Sequence, residues 1–389
     1  MTKLTKDQSR TRETLLAARA FNRRTMLKGA AAAGAVALGF PMIVKDAFSS
    51  SGTVNFMGWA GYDFKAAFEG FNKATGITVN FLEQPDQDAM FAQCKLALQT
   101  GGVDVVEPTL DRVPGWVSND IIQPWDTNKL TLANYLNGVP GGKPGDAGEV
   151  NGKRYFVPSV WGTEALTYSK ADAPLEYGAA SLGDLFDPKF EGKVTVRPHS
   201  SLAAMGRWLD SQGKLPKPWV DGYKDEATMK ELWDIALAEA LKHKANVAQW
   251  WKGENEAQAA FRTNGCVIGL TWDSTGANLE AEGFGFIAPK EGAFAWSQGF
   301  YLMKNATNTE QGHEWAKWVS TADGAAAWAS AFKANPVGNG GIEKMDPAVA
   351  SFYKAAYPGD ALEKLWWWPA QDAWFIKLRA EYADKWQGA

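Results

Sequence analysis

Aromatic rings and carboxylates recur where strands are expected to end, the rims at which an alternating fold binds its ligand. Trp59, Tyr62, Thr109 and Asp111 follow two strands expected in the first third of the chain, and Trp272-Asp273 follows a third, later one. Rings and carboxylates at such a rim are candidate ligand contacts. For Asp111 and Asp273 the competing reading is a solvated or structural carboxylate. His199, within Arg197-Pro198-His199-Ser200-Ser201 at another strand end, is either a pocket residue or an ordinary loop histidine.

Catalytic and cofactor signals are missing from the sequence. It contains no GxGxxG after a strand, no P-loop, no HExxH and no GxSxG elbow. Its three His and two Cys stand apart without metal-ligand spacing, so neither metal nor cofactor is expected. Cys94 and Cys266 read as small buried apolar residues. An exported enzyme would need a nucleophile beside a base, and none is offered. Iron capture would need clustered Tyr, His or carboxylates, which the rim positions do not supply.

The elements that must carry these residues alternate. Thr53–Met57, Ile77–Phe81 and Val103–Val106 read as strands, with helices at Phe64–Thr75 and 86–100 between them. Gly76 stops the first helix. Later, Gly192–Val196, Cys266–Leu270 and Phe284–Ala288 read as strands, Leu202–Ser211, Met229–His243 and Glu254–Phe261 as helices, and Ala295–Leu302 as a return crossing. Helices follow at Thr309–Thr321 and Ala373–Trp386. Alternation of this kind implies mainly parallel sheets that bind ligands at the carboxyl ends of strands.

Between the two sets lies KRYFVPSVWGTEALTYSK, Lys153–Lys170. It reads as a hinge, one strand at Tyr155–Pro158, a break at Trp161-Gly162-Thr163, and a second strand at Ala165–Ser169. Pro158 cannot donate a ladder hydrogen bond and Gly162 tolerates unusual dihedrals. An ordinary kinked strand in one large sheet is the alternative.

With 389 residues there is room for two domains, each with its own core. Asn22-Arg23-Arg24-Thr25 ahead of an Ala/Gly-rich run from Gly29 to Val44 resembles a twin-arginine (Tat) export signal over residues 1–47. Cleavage is expected between Pro41 and Ser51, and a retained anchor is the competing reading. The whole chain has a formal charge of −4, and nine Lys/Arg against three Asp/Glu before residue 48 leave the remainder near −10. So acidic a protein is a poor partner for nucleic acid or anionic membranes.

The order GWAGY, FNKATGITV, GGVDVVEPT, IIQPWD, KRYFVPSVWGTEALTYS, LFDPKFEGKV, NGCVIGLTWDS and PKEGAFAWSQGFYLMKNATN resembles the type II periplasmic solute-binding proteins of ABC importers. The resemblance runs from about Thr53 to Trp386 and is nearest to the spermidine/putrescine-binding branch of extracellular solute-binding family 1. It implies a two-lobed α/β fold, each lobe a mainly parallel sheet flanked by helices, joined by hinge crossings. The expected lobes are residues 52–162 with about 298–340, and 163–297 with about 341–389. It further implies a periplasmic, monomeric receptor that closes on a small organic ligand, a polyamine or related amine, and delivers it to the permease subunits.

By the same resemblance Trp59, Tyr62, Trp272 and Trp296 match the rings that flank a polyamine chain. The family's carboxylates are not all present. Gly61 stands between the first-loop aromatics, Gln298 stands two residues beyond Trp296, and Pro198-His199-Ser200-Ser201 replaces an acidic cluster. Asp111, Asp273 and Glu164 are the acids left to compensate, with Asp273 and Asp111 first. A quaternary or zwitterionic amine, whose acidic end Arg197 and His199 could meet, and a sugar stacked on Trp remain alternatives.

Overall fold

The computed structural model describes residues 52–389 other than Asp86 and Asn137, so the expected export signal lies outside the described residues. Its strands are β1 (Thr53–Trp59), β2 (Thr78–Gln84), β3 (Val105–Val106), β4 (Ile122–Gln123), β5 (Glu149–Val150), β6 (Lys153–Arg154) and β7 (Val157–Ser169). They continue as β8 (Val194–Val196), β9 (Val247–Trp250), β10 (Ile268–Trp272), β11 (Phe284–Ile287), β12 (Phe294–Met303), β13 (Asn335–Pro336) and β14 (Trp366–Trp367). The main sheet runs β2-β1-β3-β12-β7-β10-β8-β9. Its two wings are parallel, β1 with β2 and β3, and β8 with β9 and β10. The long strands β7 and β12 lie antiparallel to each other between the wings.

The break expected at Trp161-Gly162-Thr163 is absent, and β7 is one strand of 13 residues. Both of its edges are partnered nearly throughout. One edge carries β12 and then β11, and the other carries β13 and then β10. Gly162 pairs with Trp296 as an ordinary ladder residue. Pro158 lies opposite Gly299, where the register shifts, so its missing N–H falls at an irregularity that needs none.

A second departure concerns the segment after β8. The helix expected from Leu202 begins at Pro198 and runs to Ser211, with Arg197 as its N-cap. Proline suits the first helical position because the N–H it lacks would have no partner there. His199 therefore stands in a first helical turn and not in a loop. Two helices the sequence reading did not name, Ala322–Phe332 and Pro347–Ala356, are each capped by a side chain, Thr321 on Gly324 N and Asp346 on Ala348 N. Elsewhere the expected elements stand within a few residues, including the left-handed Gly76 at φ 76°.

Each wing has its own core. Phe56, Phe71, Trp315 and Trp328 pack with Val54 and Val105 in the first, and Trp219, Trp233 and Trp386 pack with Leu202 and Leu232 in the second. Six of the 19 Trp are among the largest fully buried side chains, so much of the tryptophan excess serves packing. Cys94 and Cys266 are free and buried, in line with the apolar reading.

Candidate ligand-binding site

β1 and β3 end side by side, and their exits build a box around one carboxylate. Trp59, the last residue of β1, donates its indole N–H to the Glu107 carbonyl at 2.8 Å. The Tyr62 ring lies 6.4 Å from that of Trp59, and Phe332 packs against its other side. Glu107 itself is fully buried. Its Oε1 accepts from Ser159 Oγ and from Trp328 Nε1, while Oε2 has no hydrogen-bond partner. No Lys, Arg or His of the described residues comes within ion-pair distance of it. Burial pushes the carboxyl up to about 8, and the donors Ser159 and Trp328, with the nearby Gln298 amide, oppose the rise only in part.

Tyr62 belongs to the same box. Its hydroxyl is held well above the usual phenol range by burial and then by the Glu107 charge, with Gln298 acting in the opposite sense. Gln298, on β12, is 4% exposed, and its Nε2 lacks an acceptor in good geometry. It forms a bridge with Thr109, whose Oγ1 bonds both Asp111 and Gln87. Gln298, Thr109 and Asp111 are thus linked to one another beside the Glu107 box.

A second group forms around Arg197, at the end of β8. Its Nη2 pairs with Glu164 Oε1 at 2.6 Å, and its Nε donates to Ser200 Oγ at 3.1 Å. The guanidinium carbon lies 5.2 Å from the Trp251 ring and 5.3 Å from the Trp272 ring. Trp272, expected as a wall for a ligand cation, therefore already holds a cation of the protein. Glu164 is fully buried as the partner of Arg197, which makes it part of this ion pair.

Asp273 answers the expectation placed on it differently. Fully buried at the start of the helix Asp273–Leu279, it accepts from Thr163 N (2.9 Å), Tyr357 Oη (3.1 Å), Asn335 Nδ2 (3.2 Å) and Ser274 N (3.0 Å). Burial still lifts its carboxyl to about 7. All four donors belong to the protein, so the carboxylate expected to lead in meeting a ligand ties β7, through Thr163, to Asn335 and Tyr357 further along the chain. Gly162 makes this possible, since a Cβ there would overlap the Trp296 ring on one side and approach Asp273 on the other.

Trp296 is half-buried on β12, and its Nε1 has no acceptor. It lines a cavity of about 230 Å³ together with Asp111, Pro140, Trp368 and Ala370. His199 stands 6.4 Å from the Trp368 ring. The sequence reading missed Glu107, Arg112 and Arg379. Glu107 was in plain view at a strand exit. Arg112 adjoins a named residue, and Arg379, on the terminal helix, left no signal at all.

Among the described residues no group of His, Cys, Asp and Glu is arranged to hold a metal ion, and no helix is long and apolar enough to cross a membrane. The sequence profile of the bacterial extracellular solute-binding protein family matches residues 66–340. Spermidine/putrescine-binding periplasmic protein 1 of Haemophilus influenzae is 24% identical over 274 residues, 68% of this chain and 70% of its own length. The putrescine/agmatine-binding protein of Pseudomonas aeruginosa is 26% identical over 284 residues, 69% of this chain and 73% of its own. In structure, the spermidine/putrescine transporter substrate-binding protein PotD of Streptococcus pneumoniae superposes with a TM-score of 0.69 at 16% identity, covering 87% of this chain and 99% of that one. The shared fold is that of the two-lobed periplasmic binding proteins.

Proposed function

Because the chain belongs to the bacterial extracellular solute-binding protein family, and is the substrate-binding receptor of an ABC transporter rather than an enzyme, we propose that its ligand is an organic amine whose ammonium meets Glu107. The observation that carries this reading is the empty Oε2 of a fully buried carboxylate with no cation beside it. A desolvated carboxylate without a counter-ion takes up a proton instead, which is why its pKa stands high. An arriving ammonium would restore ionisation, with Tyr62 and Trp59 offering ring faces and Gln298 a polar side chain beside it. The amine-binding relatives support the class and leave the individual ligand open.

The lobes of this receptor are residues 52–162 with about 298–340, and 163–297 with about 341–389. Support comes from the pairing of Gly162 with Trp296, at the point where β7 and β12 pass from one wing to the other. Closure about these crossings would bring both rims onto the ligand. Export by the twin-arginine route follows from Arg23-Arg24, and changing both to Lys should leave precursor in the cytoplasm.

A thermal-shift screen of polyamines, betaines, amino acids and sugars identifies the ligand, since a ligand at 100 times Kd stabilises by about 2.7 kcal/mol. Titration calorimetry of the best amine against Glu107→Gln then tests the site. Loss of one member of a buried charged pair costs roughly 3 to 5 kcal/mol, so binding should fall more than about a hundredfold. Because the free carboxyl is protonated below about 8, wild-type affinity should climb with pH up to that value and the variant's should not. Unchanged affinity in Glu107→Gln would remove the carboxylate from the site, and a sugar as the only binder would overturn the amine class.

A further inference from the structure

Near the cavity, three guanidiniums share two carboxylates withdrawn from solvent, Asp111 and Glu164, and Arg112 also lies 4.0 Å from the exposed Asp88. Arg112 Nε lies 3.4 Å from Asp111 Oδ2, and Arg197 pairs with Glu164. Arg379, on the helix Ala373–Gly388, donates Nη1 to the neutral Gln371 Oε1 at 2.6 Å and has no carboxylate within ion-pair distance among the described residues. Their charges act on one another. Burial, then Arg112, pulls Arg379 down to about 10, with Arg197 adding to the effect and Asp111 opposing it. His199 is held well below the usual histidine range by burial and then by Arg197, Arg379 and Arg112, so it adds a neutral imidazole.

Apart from the oxygens of Glu164, which Arg197 neutralises, the polar atoms left over at this end are donors. Arg112 Nε and the Tyr223 hydroxyl are buried without a hydrogen-bond acceptor, as is Trp296 Nε1 in the cavity wall. The helix Pro198–Ser211 starts with no side-chain cap on its first turn, adding the positive end of its dipole. The cluster adjoins the cavity through Gln371, which follows the lining residue Ala370 and gives its backbone N–H to the Asp111 carbonyl at 3.3 Å.

Positive charge partly withdrawn from water is costly where one guanidinium has no carboxylate, and a group that accepts hydrogen bonds while carrying negative charge relieves it. Planar guanidinium forks fit carboxylate and phosphonate oxygens in pairs. We propose that Arg112, Arg197 and Arg379 form an anion-binding subsite, so that the transported amine also carries a carboxylate, phosphonate or phosphate at the end away from its ammonium. Arg112 comes from the wing of β1 to β3, and the other two pack with the wing of β8 to β10. An anion held by all three therefore favours the closed arrangement. The packing of Arg197 against Trp251 and Trp272 fits the same picture, with the rings fixing the arginine that meets the anion.

This subsite rests on the amine site at Glu107, and the two can fail separately. γ-Aminobutyrate and putrescine share a carbon chain and differ in one end group. Calorimetry should find γ-aminobutyrate or aminopropylphosphonate about tenfold or more tighter than putrescine. Arg379→Gln should erase that difference by weakening the acids alone, with Arg112→Gln as the second variant if the first does not fold. Inorganic phosphate, compared with chloride at equal ionic strength, should raise the melting temperature of the wild type and not of Arg379→Gln. Putrescine binding more tightly than both acids, or the absence of any acid preference and any phosphate response, would overturn the subsite while leaving the amine site standing. Butyrate and propylphosphonate binding as well as their amino forms would support the subsite and overturn the amine reading instead.

Discussion

Glu107 just past β3 and Asp273 just past β10 are buried carboxylates at comparable places in the two wings, and the protein treats them differently. Asp273 accepts four hydrogen bonds from its own chain. Glu107 accepts from Ser159 and Trp328 on one oxygen and leaves the other empty. Both are pushed up by burial, Asp273 to about 7 and Glu107 to about 8. Burial alone therefore does not separate a carboxylate the fold has satisfied from one it has not. What separates them is whether the fold has already spent the acceptor capacity.

The largest expected effect falls on the saturated carboxylate. Asp273→Ala strands the donors of Thr163, Asn335, Tyr357 and Ser274, and should cost roughly 3 to 5 kcal/mol in denaturant unfolding. A loss well under 1 kcal/mol would mean that the four bonds do not hold the crossing together, and the contrast with Glu107 would dissolve.

Gly162→Ala comes next. The added methyl must displace Trp296 or crowd Asp273, and overpacking of this kind costs about 1 to 3 kcal/mol. It should weaken ligand binding as well, because Trp296 lines the cavity. Wild-type stability and affinity in this variant would show that Trp296 moves freely.

Arg197→Lys should have the smallest effect on stability, about 1 kcal/mol, since a lysine keeps the charge for Glu164 but lacks the planar group that packs against Trp251 and Trp272. If the rings were instead awaiting a ligand cation, removing the arginine's plane would strengthen putrescine binding. A tighter putrescine isotherm in Arg197→Lys would count against the present assignment of Trp272.

Much of the fold was legible because strand and helix periods, Gly76 and the proline-bearing turns are local signals. The site was less so, for physical reasons. Asp273 attracted attention by following Trp272, but two of its donors, Asn335 and Tyr357, arrive from 62 and 84 residues downstream. Trp272 offered a ring whose occupant, Arg197, lies on another strand's end. Glu107 passed as a strand terminus because the absence of a partner on Oε2 is a property of packing, not of spacing. Arg379 is charged, sits on the terminal helix and reads as solvated. The continuous β7 was obscured for a related reason, since Pro158 and Gly162 signal a break only when no neighbour holds the strand on both edges.

Carboxyl NMR of the unliganded protein labelled at Glu, with Glu107→Gln to assign the resonance, tests most directly that Glu107 is the uncompensated acid of this receptor. Its folded pKa is raised, so the folded state holds a proton that the unfolded state has released. Unliganded stability attributable to this residue should thus decline as pH rises from about 4 toward 8. The resonance should titrate near 8 in the free protein and report an ionised carboxylate at neutral pH once the amine is bound. Titration in the ordinary carboxylate range with no ligand present would mean that Glu107 already has its counter-charge, and the site would have to be sought elsewhere.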